Sequence, residues 1–354
     1  MRWSAGGPRH APRSPDGFAE AKTPPVRVWR VPSSVSSPEA DAAQPGGRVV
    51  VTGGSGFVGR AVVRAFVERG TPVTVIDQQP LPEDLRGDLV THVAGDLGDP
   101  AAREAAVTEG AAGIVHLAAI TSVLRSVDRP AETYAANVAV TQELLELARL
   151  RGLGQFVLAS TNAVVGDIGR GTISESLPLR PLTPYGATKA ACEMLLSGYA
   201  GAYGLATCAL RFTNIYGPGM GHKDSFIPRL MRAALAGAGV EVYGDGSQSR
   251  DFVHVDDVVR GVLAAWDKQY SGTAIIGAGR SISVTELIEA VRTATGRPLP
   301  VTHVPAKNGE MPAVIVDVAK AGRELGYTPS VELTDGLRTV WEDFQAAAGA
   351  SGTA

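Results

Sequence analysis

Tyr185 and Lys189 stand four residues apart in the run Thr183-Pro184-Tyr185-Gly186-Ala187-Thr188-Lys189. On a helix, that spacing puts both side chains on one face. A free phenol has a pKa of about 10 and is a poor base at neutral pH. An ammonium beside it favours the phenolate and brings it toward a useful range. Alone, the pair fits an ordinary helix as well as a catalytic one. It gains weight from a nucleotide signature far upstream.

That signature begins at Arg48-Val49-Val50-Val51-Thr52, a short β-branched run that reads as a buried strand. It meets Gly53-Gly54-Ser55-Gly56-Phe57-Val58-Gly59, and Arg60 to Arg69 then reads as a helix ending at Gly70. Gly53, Gly56 and Gly59 form a Gly-x-x-Gly-x-x-Gly pattern, and Phe57 and Val58 within it count as cofactor-binding with the glycines. A tight turn without Cβ atoms lets main-chain N–H groups and the helix dipole meet a pyrophosphate. A glycine pattern can also be a plain loop. A strand before it, a helix after it and an acid at the right distance favour the phosphate cradle.

The acid is Asp77, at the end of a second predicted strand, Pro72 to Ile76, and ~20 residues beyond the glycines. A carboxylate there accepts from both ribose hydroxyls of an adenosine and repels a 2′-phosphate, which points to NAD. The alternative is a strand-end turn residue.

The elements that must position these groups alternate along the chain. Further strands are expected at Leu89 to Val93, Gly113 to Leu117, Gly154 to Ser160 and Ala206 to Phe212. Helices are expected at Asp128 to Arg151, with Pro130 in the first turn, and at Pro184 to Tyr203. This order predicts an α/β fold of Rossmann type, a doubly wound parallel sheet.

The 354 residues allow a sizeable core, and 33 basic against 36 acidic residues leave no charge case for a nucleic-acid or membrane partner. No apolar stretch approaches the roughly 18 residues of a membrane span. The six histidines have no ligand spacing, so no metal is expected. Cys192 and Cys208 read as small buried hydrophobes in a reducing compartment, hence a cytoplasmic protein. Residues 1–46, rich in Pro, Ser, Ala and Gly, read as a disordered tail without a secretory h-region. A mis-assigned start codon is an alternative. Acidic residues disfavour a transit peptide.

Taken together, these residues resemble the extended short-chain dehydrogenase/reductase family, the NAD-dependent sugar-nucleotide epimerases and dehydratases. The resemblance spans about residues 48–345. It implies an adenine-contacting turn at Gly95-Asp96-Leu97 and a cofactor-lining segment at His116-Leu117-Ala118-Ala119. Asn137 falls where relatives steady the active-site region, and Ser122 where they meet substrate. Asn214, in Arg211 to Pro218, and Arg250, in Arg250 to Val258, fall where relatives bind the substrate and its diphosphate. Ala319 to Pro329 and Gly336-Leu337 match a closing helix and turn.

In the same resemblance, Ser160 to Gly166 aligns with the family's Ser/Thr segment, which makes Thr161 the third catalytic group beside Tyr185 and Lys189. Its hydroxyl would hold the reacting sugar oxygen near Tyr185. Its other reading is a strand-end Thr capping a turn. Lys189 would also grip the nicotinamide ribose. Dehydratases carry acids just after this position, and decarboxylating relatives usually a Glu. Here Asn162 and Ala163 cannot move protons. Val165 replaces the usual Tyr before Gly166. Lys307, where relatives often carry Arg, is either a second phosphate contact or a solvated lysine. Val314 either leaves room for a sugar 2-N-acetyl group or packs a core.

The resemblance therefore implies an NAD-binding domain at 47–215, to which 251–275 returns, and a substrate lobe from 216–250 and 276–346, with 347–354 flexible. It implies a UDP-glucose 4-epimerase-like enzyme for UDP-glucose/UDP-galactose or their N-acetyl forms, working through a transient 4-keto sugar. A homodimer through the helices of Asp128–Arg151 and Pro184–Tyr203 goes with it. Two rivals stand: an NAD(P)H-dependent 4-ketoreductase and a non-enzymatic NAD-binding scaffold or sensor.

Overall fold

The computed structural model describes residues 47–306 and 311–351. These residues belong to one compact unit, Ala42–Ala354. The segment read as a tail, Lys307 and residues 352–354 lie outside the described residues.

The chain runs β1 (Arg48–Thr52), α1 (Phe57–Glu68), β2 (Val73–Asp77), β3 (Val90–Ala94), α2 (Pro100–Ala106) and β4 (Ala111–His116). It continues through α3 (Val123–Asp128), α4 (Pro130–Tyr134), α5 (Val140–Leu150), β5 (Gln155–Thr161), β6 (Thr172–Ile173), α6 (Pro184–Tyr203), β7 (Ala206–Phe212) and β8 (Asn214–Tyr216). Then come α7 (Phe226–Ala236), β9 (Val240–Tyr243), β10 (Ser249–His254), α8 (Val255–Asp267), β11 (Gly272–Ile276), β12 (Ser281–Ser283) and α9 (Val284–Thr295). The last elements are β13 (Val301–Val304), β14 (Ile315–Val316), α10 (Ala319–Leu325) and α11 (Leu333–Ser351). Among the described residues no helix is long and apolar enough to cross a membrane.

Seven strands make one parallel sheet in the order β11-β7-β5-β4-β1-β2-β3. Both faces are covered, which is why its strands are nearly continuous apolar runs. The alternation in β1 is visible in the packing. Val49 and Val51 join Val62, Val63 and Phe66 of α1 and Val258 and Val262 of α8. Val50 turns the other way, to Leu144 and Leu145 of α5 and Leu196 of α6. The strand order reverses between β1 and β4, and a crevice opens outside the strand ends at such a point.

A separate cluster packs α7, α9 and α11 through Met231, Leu287, Leu337 and Trp341, and it also takes in Phe57 from the start of α1. Here β9 pairs with β13, and β8, β10 and β12 form a small sheet. Gly336-Leu337, expected in a turn, lies inside α11, and residues 347–351, expected as part of a loose end, continue the same helix.

The single helix expected over Asp128 to Arg151 is divided. α3 stops at Asp128, and Pro130 opens α4 at its first position, where a missing N–H costs nothing. Ala135–Ala139 is then a π-helical segment leading into α5. Such bulges cluster at functional sites, and this one carries Asn137.

Candidate active site

A cavity of about 1000 Å³ lies at the carboxyl ends of the parallel strands. Its floor contains Gly53, Gly56, Phe57, Val58 and Gly59 after β1, Asp77 ending β2, and Asp96 and Leu97 after β3. Leu117, Ala118 and Ala119 follow β4, and Thr161, Tyr185 and Lys189 complete the inner wall.

The glycine turn is shaped for an anion. Gly56 caps α1 with no side-chain bond to the first-turn N–H groups, which leaves those donors for a ligand. A Cβ on Gly59 would stand 2.0 Å from the Gly53 carbonyl oxygen, so only glycine lets the helix approach its own turn. The two oxygens of Asp77 accept the main-chain N–H groups of Ser55 at 3.0 Å and Gln79 at 2.9 Å. These bonds orient the carboxylate at the cavity edge, and each oxygen keeps a lone pair for a ribose hydroxyl. The donor set fits a dinucleotide such as NAD.

On the inner wall, Thr183 caps α6 by accepting the Gly186 N–H at 3.2 Å. The Tyr185 N–H, another donor of the first turn, goes to Ser126 Oγ at 3.1 Å. A Cβ on Gly186 would come within 2.7 Å of the Ala163 carbonyl, so this glycine lets α6 close on the turn after β5. That approach brings Tyr185 to Thr161, with which it shares a side-chain hydrogen bond. Thr161 also accepts the Ala163 N–H at 3.2 Å, so it caps the turn and meets the phenol at once.

The electrostatics differ from the simple pair. Burial pushes the Tyr185 phenol up to about 12, and the bond with Thr161 only partly opposes it. Lys189 is itself buried, and desolvation holds its ammonium below the usual range. An effect of Lys189 large enough to offset the burial of Tyr185 is absent from this geometry.

Behind the wall, Thr52 Oγ1 shares a hydrogen bond with His116 Nδ1 at 2.7 Å, and His116 Nε2 with Thr141 Oγ1 at 3.1 Å. Thr141 donates its proton to the Asn137 carbonyl at 2.6 Å. His116 must then carry its proton on Nε2. Burial first, and Lys189 second, lower its pKa to about 3, so it is neutral. Asn137 does not line the cavity but braces it. Its amide accepts from Ile120 N at 2.8 Å and donates to Ile120 O and Thr188 Oγ1, each at 3.1 Å.

The expected substrate contacts divide. Asn214 lines the cavity and donates to the Asp251 carbonyl at 2.8 Å. Ser122 is not among the lining residues; it caps α3 by accepting the Arg125 N–H, while its neighbour Thr121 does line the cavity. Arg250 is not among them either, and its guanidinium donates to the Ser249 carbonyl at 2.8 Å. Val314 is not among the lining residues either; it is half-buried and packs against the cluster that contains Val164, Val165, Ile173 and Val316. Val165, in the usual place of Tyr, is buried in the same cluster. Lys307 is outside the described residues.

Other lining residues escaped the sequence reading: Gln78, Arg125, Glu132, His222, Lys223 and Phe226. The Lys223 ammonium stands 5.6 Å from the centre of the Phe57 ring, above the glycine turn. Nothing periodic marks His222 and Lys223; the only signal was their position after Tyr216-Gly217-Pro218.

The model of the NAD dependent epimerase/dehydratase family matches residues 49–277. A UDP-glucose 4-epimerase of Corynebacterium glutamicum is 33% identical over 328 residues, 86% of this chain and 97% of the relative. A dTDP-glucose 4,6-dehydratase of Streptomyces griseus is 35% identical over 302 residues, 82% of this chain and 91% of the relative. Among solved structures, MoeE5 in complex with UDP-glucuronic acid and NAD superimposes with a TM-score of 0.77 at 36% identity, over 85% of this chain and all (100%) of that one.

Proposed function

This chain belongs to the NAD-dependent epimerase/dehydratase family, and from that premise we propose that it is a nucleotide-sugar 4-epimerase. UDP-glucose/UDP-galactose or their N-acetyl forms are the substrates of this reading. One observation carries it. Thr161, Tyr185 and Lys189 line the same cavity as the dinucleotide cradle, yet Asn162 and Ala163 follow Thr161. Elimination of water needs an acid and a base beyond Tyr185, and neither an amide nor a methyl provides one. Relatives named epimerase and dehydratase have nearly equal identity (33% and 35%), so chemistry at these positions weighs more than overall similarity.

The glycine turn and Asp77 hold NAD, which when bound supplies reversible oxidation at the sugar C4. Tyr185 takes the proton of the 4-hydroxyl, and Thr161 keeps that oxygen in reach. Lys189 grips the nicotinamide ribose and favours the phenolate. Tyr185 returns the proton after the 4-keto sugar has turned its other face. Lys223 adds positive charge for a nucleotide phosphate. On this reading residues 216–250 and 276–346 supply the lobe that closes on the sugar nucleotide, and its described part packs in a cluster that also takes in Phe57 and Val255.

A homodimer through α4–α6 is part of this proposal. Its support is a set of exposed apolar side chains, Tyr134 on α4, Leu150 on α5, and Met194 and Tyr203 on α6. A cytoplasmic setting is supported by Cys192 and Cys208, both free and buried.

The test is incubation with UDP-glucose, UDP-N-acetylglucosamine, UDP-glucuronic acid and dTDP-glucose without added cofactor. The expected product is a 4-epimer with no net NADH. A 4-keto-6-deoxy product would make the chain a dehydratase. Stoichiometric consumption of NADH or NADPH with 4-keto sugars would make it a ketoreductase.

A further inference from the structure

One buried charged group next to the catalytic wall has no part in the chemistry above. Glu193 follows Lys189 by one helical turn on α6 and is 5% exposed. Its carboxylate accepts the Ser160 hydroxyl at 2.5 Å, the residue beside Thr161. It also accepts Arg211 of β7 through Nε at 3.0 Å and Nη2 at 2.7 Å. Arg211 is 3% exposed. Three elements, α6, β5 and β7, therefore meet on one carboxylate.

The groups around Lys189 are otherwise poor counter-ions. His116, from β4, is neutral. Cys192, on α6, is kept as a thiol by burial. Tyr185, one turn earlier, is kept as a phenol by burial. Cys192 and, after it, Glu193 act on Lys189 in favour of the ammonium, and Glu193 is the one carboxylate of the two. Arg211 compensates Glu193 from the far side, on β7, and the guanidinium exerts no resolved effect on Lys189. Glu193 stands one turn from Lys189 on the same helix, while Arg211 reaches it from β7.

We propose that Glu193 is a positioning residue: held by Ser160 and Arg211, its carboxylate is the built-in counter-charge of the buried Lys189 ammonium. This rests on reading Tyr185 and Lys189 as catalytic. Dehydrated, uncompensated ammonium groups give up their proton, and a neutral Lys189 could not support the Tyr185 phenolate. The charge that serves the reaction is on this account stored one turn behind it, out of the cavity.

The test follows Lys189 itself, with no sugar present. The full-length protein, saturated with NAD, carries ¹³C at the lysine Cε, and the Lys189 signal is assigned by its loss in Lys189→Arg. In Glu193→Gln, which keeps the hydrogen-bonding shape, Lys189 is expected to titrate about one pH unit lower than in the unaltered protein. In Glu193→Asp, which keeps the charge, it is expected to titrate near the original pH. Equal titration in the unaltered protein and Glu193→Gln overturns the proposal. Removing one partner of a buried pair endangers folding. If Glu193→Gln does not fold, Glu193→Gln/Arg211→Gln leaves no charge stranded, and a smaller shift of the same sign is expected. No shift there overturns the proposal equally. Failure to epimerise any sugar would sink the proposed function without touching this result.

Discussion

Thr161, the last residue of β5, shares a side-chain hydrogen bond with Tyr185 in the first turn of α6, and burial still holds the phenol at about 12 against the lowering effect of that bond. The free protein thus holds its base as a neutral, pre-aligned phenol.

Tyr185→Phe removes the proton carrier and leaves the ring that packs the wall. Turnover should fall by about 10²–10⁴-fold, while NAD binding and melting temperature stay near those of the unaltered protein. Thr161→Val should cost less, since Thr161 positions the oxygen. Steady-state rates on the sugar that responds in the panel check both. Near-normal turnover in Tyr185→Phe rules the mechanism out.

Asp77 should set cofactor choice. Its oxygens are already oriented by the Ser55 and Gln79 N–H groups, so a 2′-phosphate meets a fixed negative charge. Asp77→Ser should weaken NAD binding and narrow the preference over NADP, as read by equilibrium titration of both. Equal affinity of the unaltered protein for NAD and NADP would remove Asp77 from the ribose.

His116 should make the protein acid-sensitive. Its pKa falls from 6.5 unfolded to about 3 folded. Between those values the unfolded chain binds a proton that the native state refuses. Stability therefore falls as pH falls from about 6.5 toward 3, by up to about 1.4 kcal/mol per pH unit, and is unaffected by this group above 6.5. Denaturant midpoints at pH 7.5 and pH 5 should separate more for the unaltered protein than for His116→Asn. Equal loss in both would assign the acid sensitivity to other groups.

The exposed apolar set on α4, α5 and α6 should be an interface. Tyr134, Leu150, Met194 and Tyr203 are all exposed on these helices. Sedimentation at micromolar concentration should give a dimer, and Met194→Glu/Tyr203→Glu should give a folded monomer. A monomeric unaltered protein ends this proposal.

What could be read in the chain alone depends on local geometry. The glycine turn between a β-branched run and a helix, Asp77 at the end of β2 and the four-residue spacing of Tyr185 and Lys189 follow from strand and helix periods. The extents of β1, α6 and β7 could be read to the residue for the same reason. The π segment that carries Asn137 could not, because no local pattern marks one extra residue in a helical turn. Val314 offered two readings in sequence, and its place beside the cluster of Val165 and Ile173 came only with the fold. His222 and Lys223 reach the cavity because Phe57 joins the glycine turn to the third cluster, a meeting of faces far apart in the chain. Nothing in the sequence sets Glu193 apart from other helix acids. Only folding brings Ser160 and Arg211 onto it, since a buried carboxylate needs partners from other elements to offset its lost water.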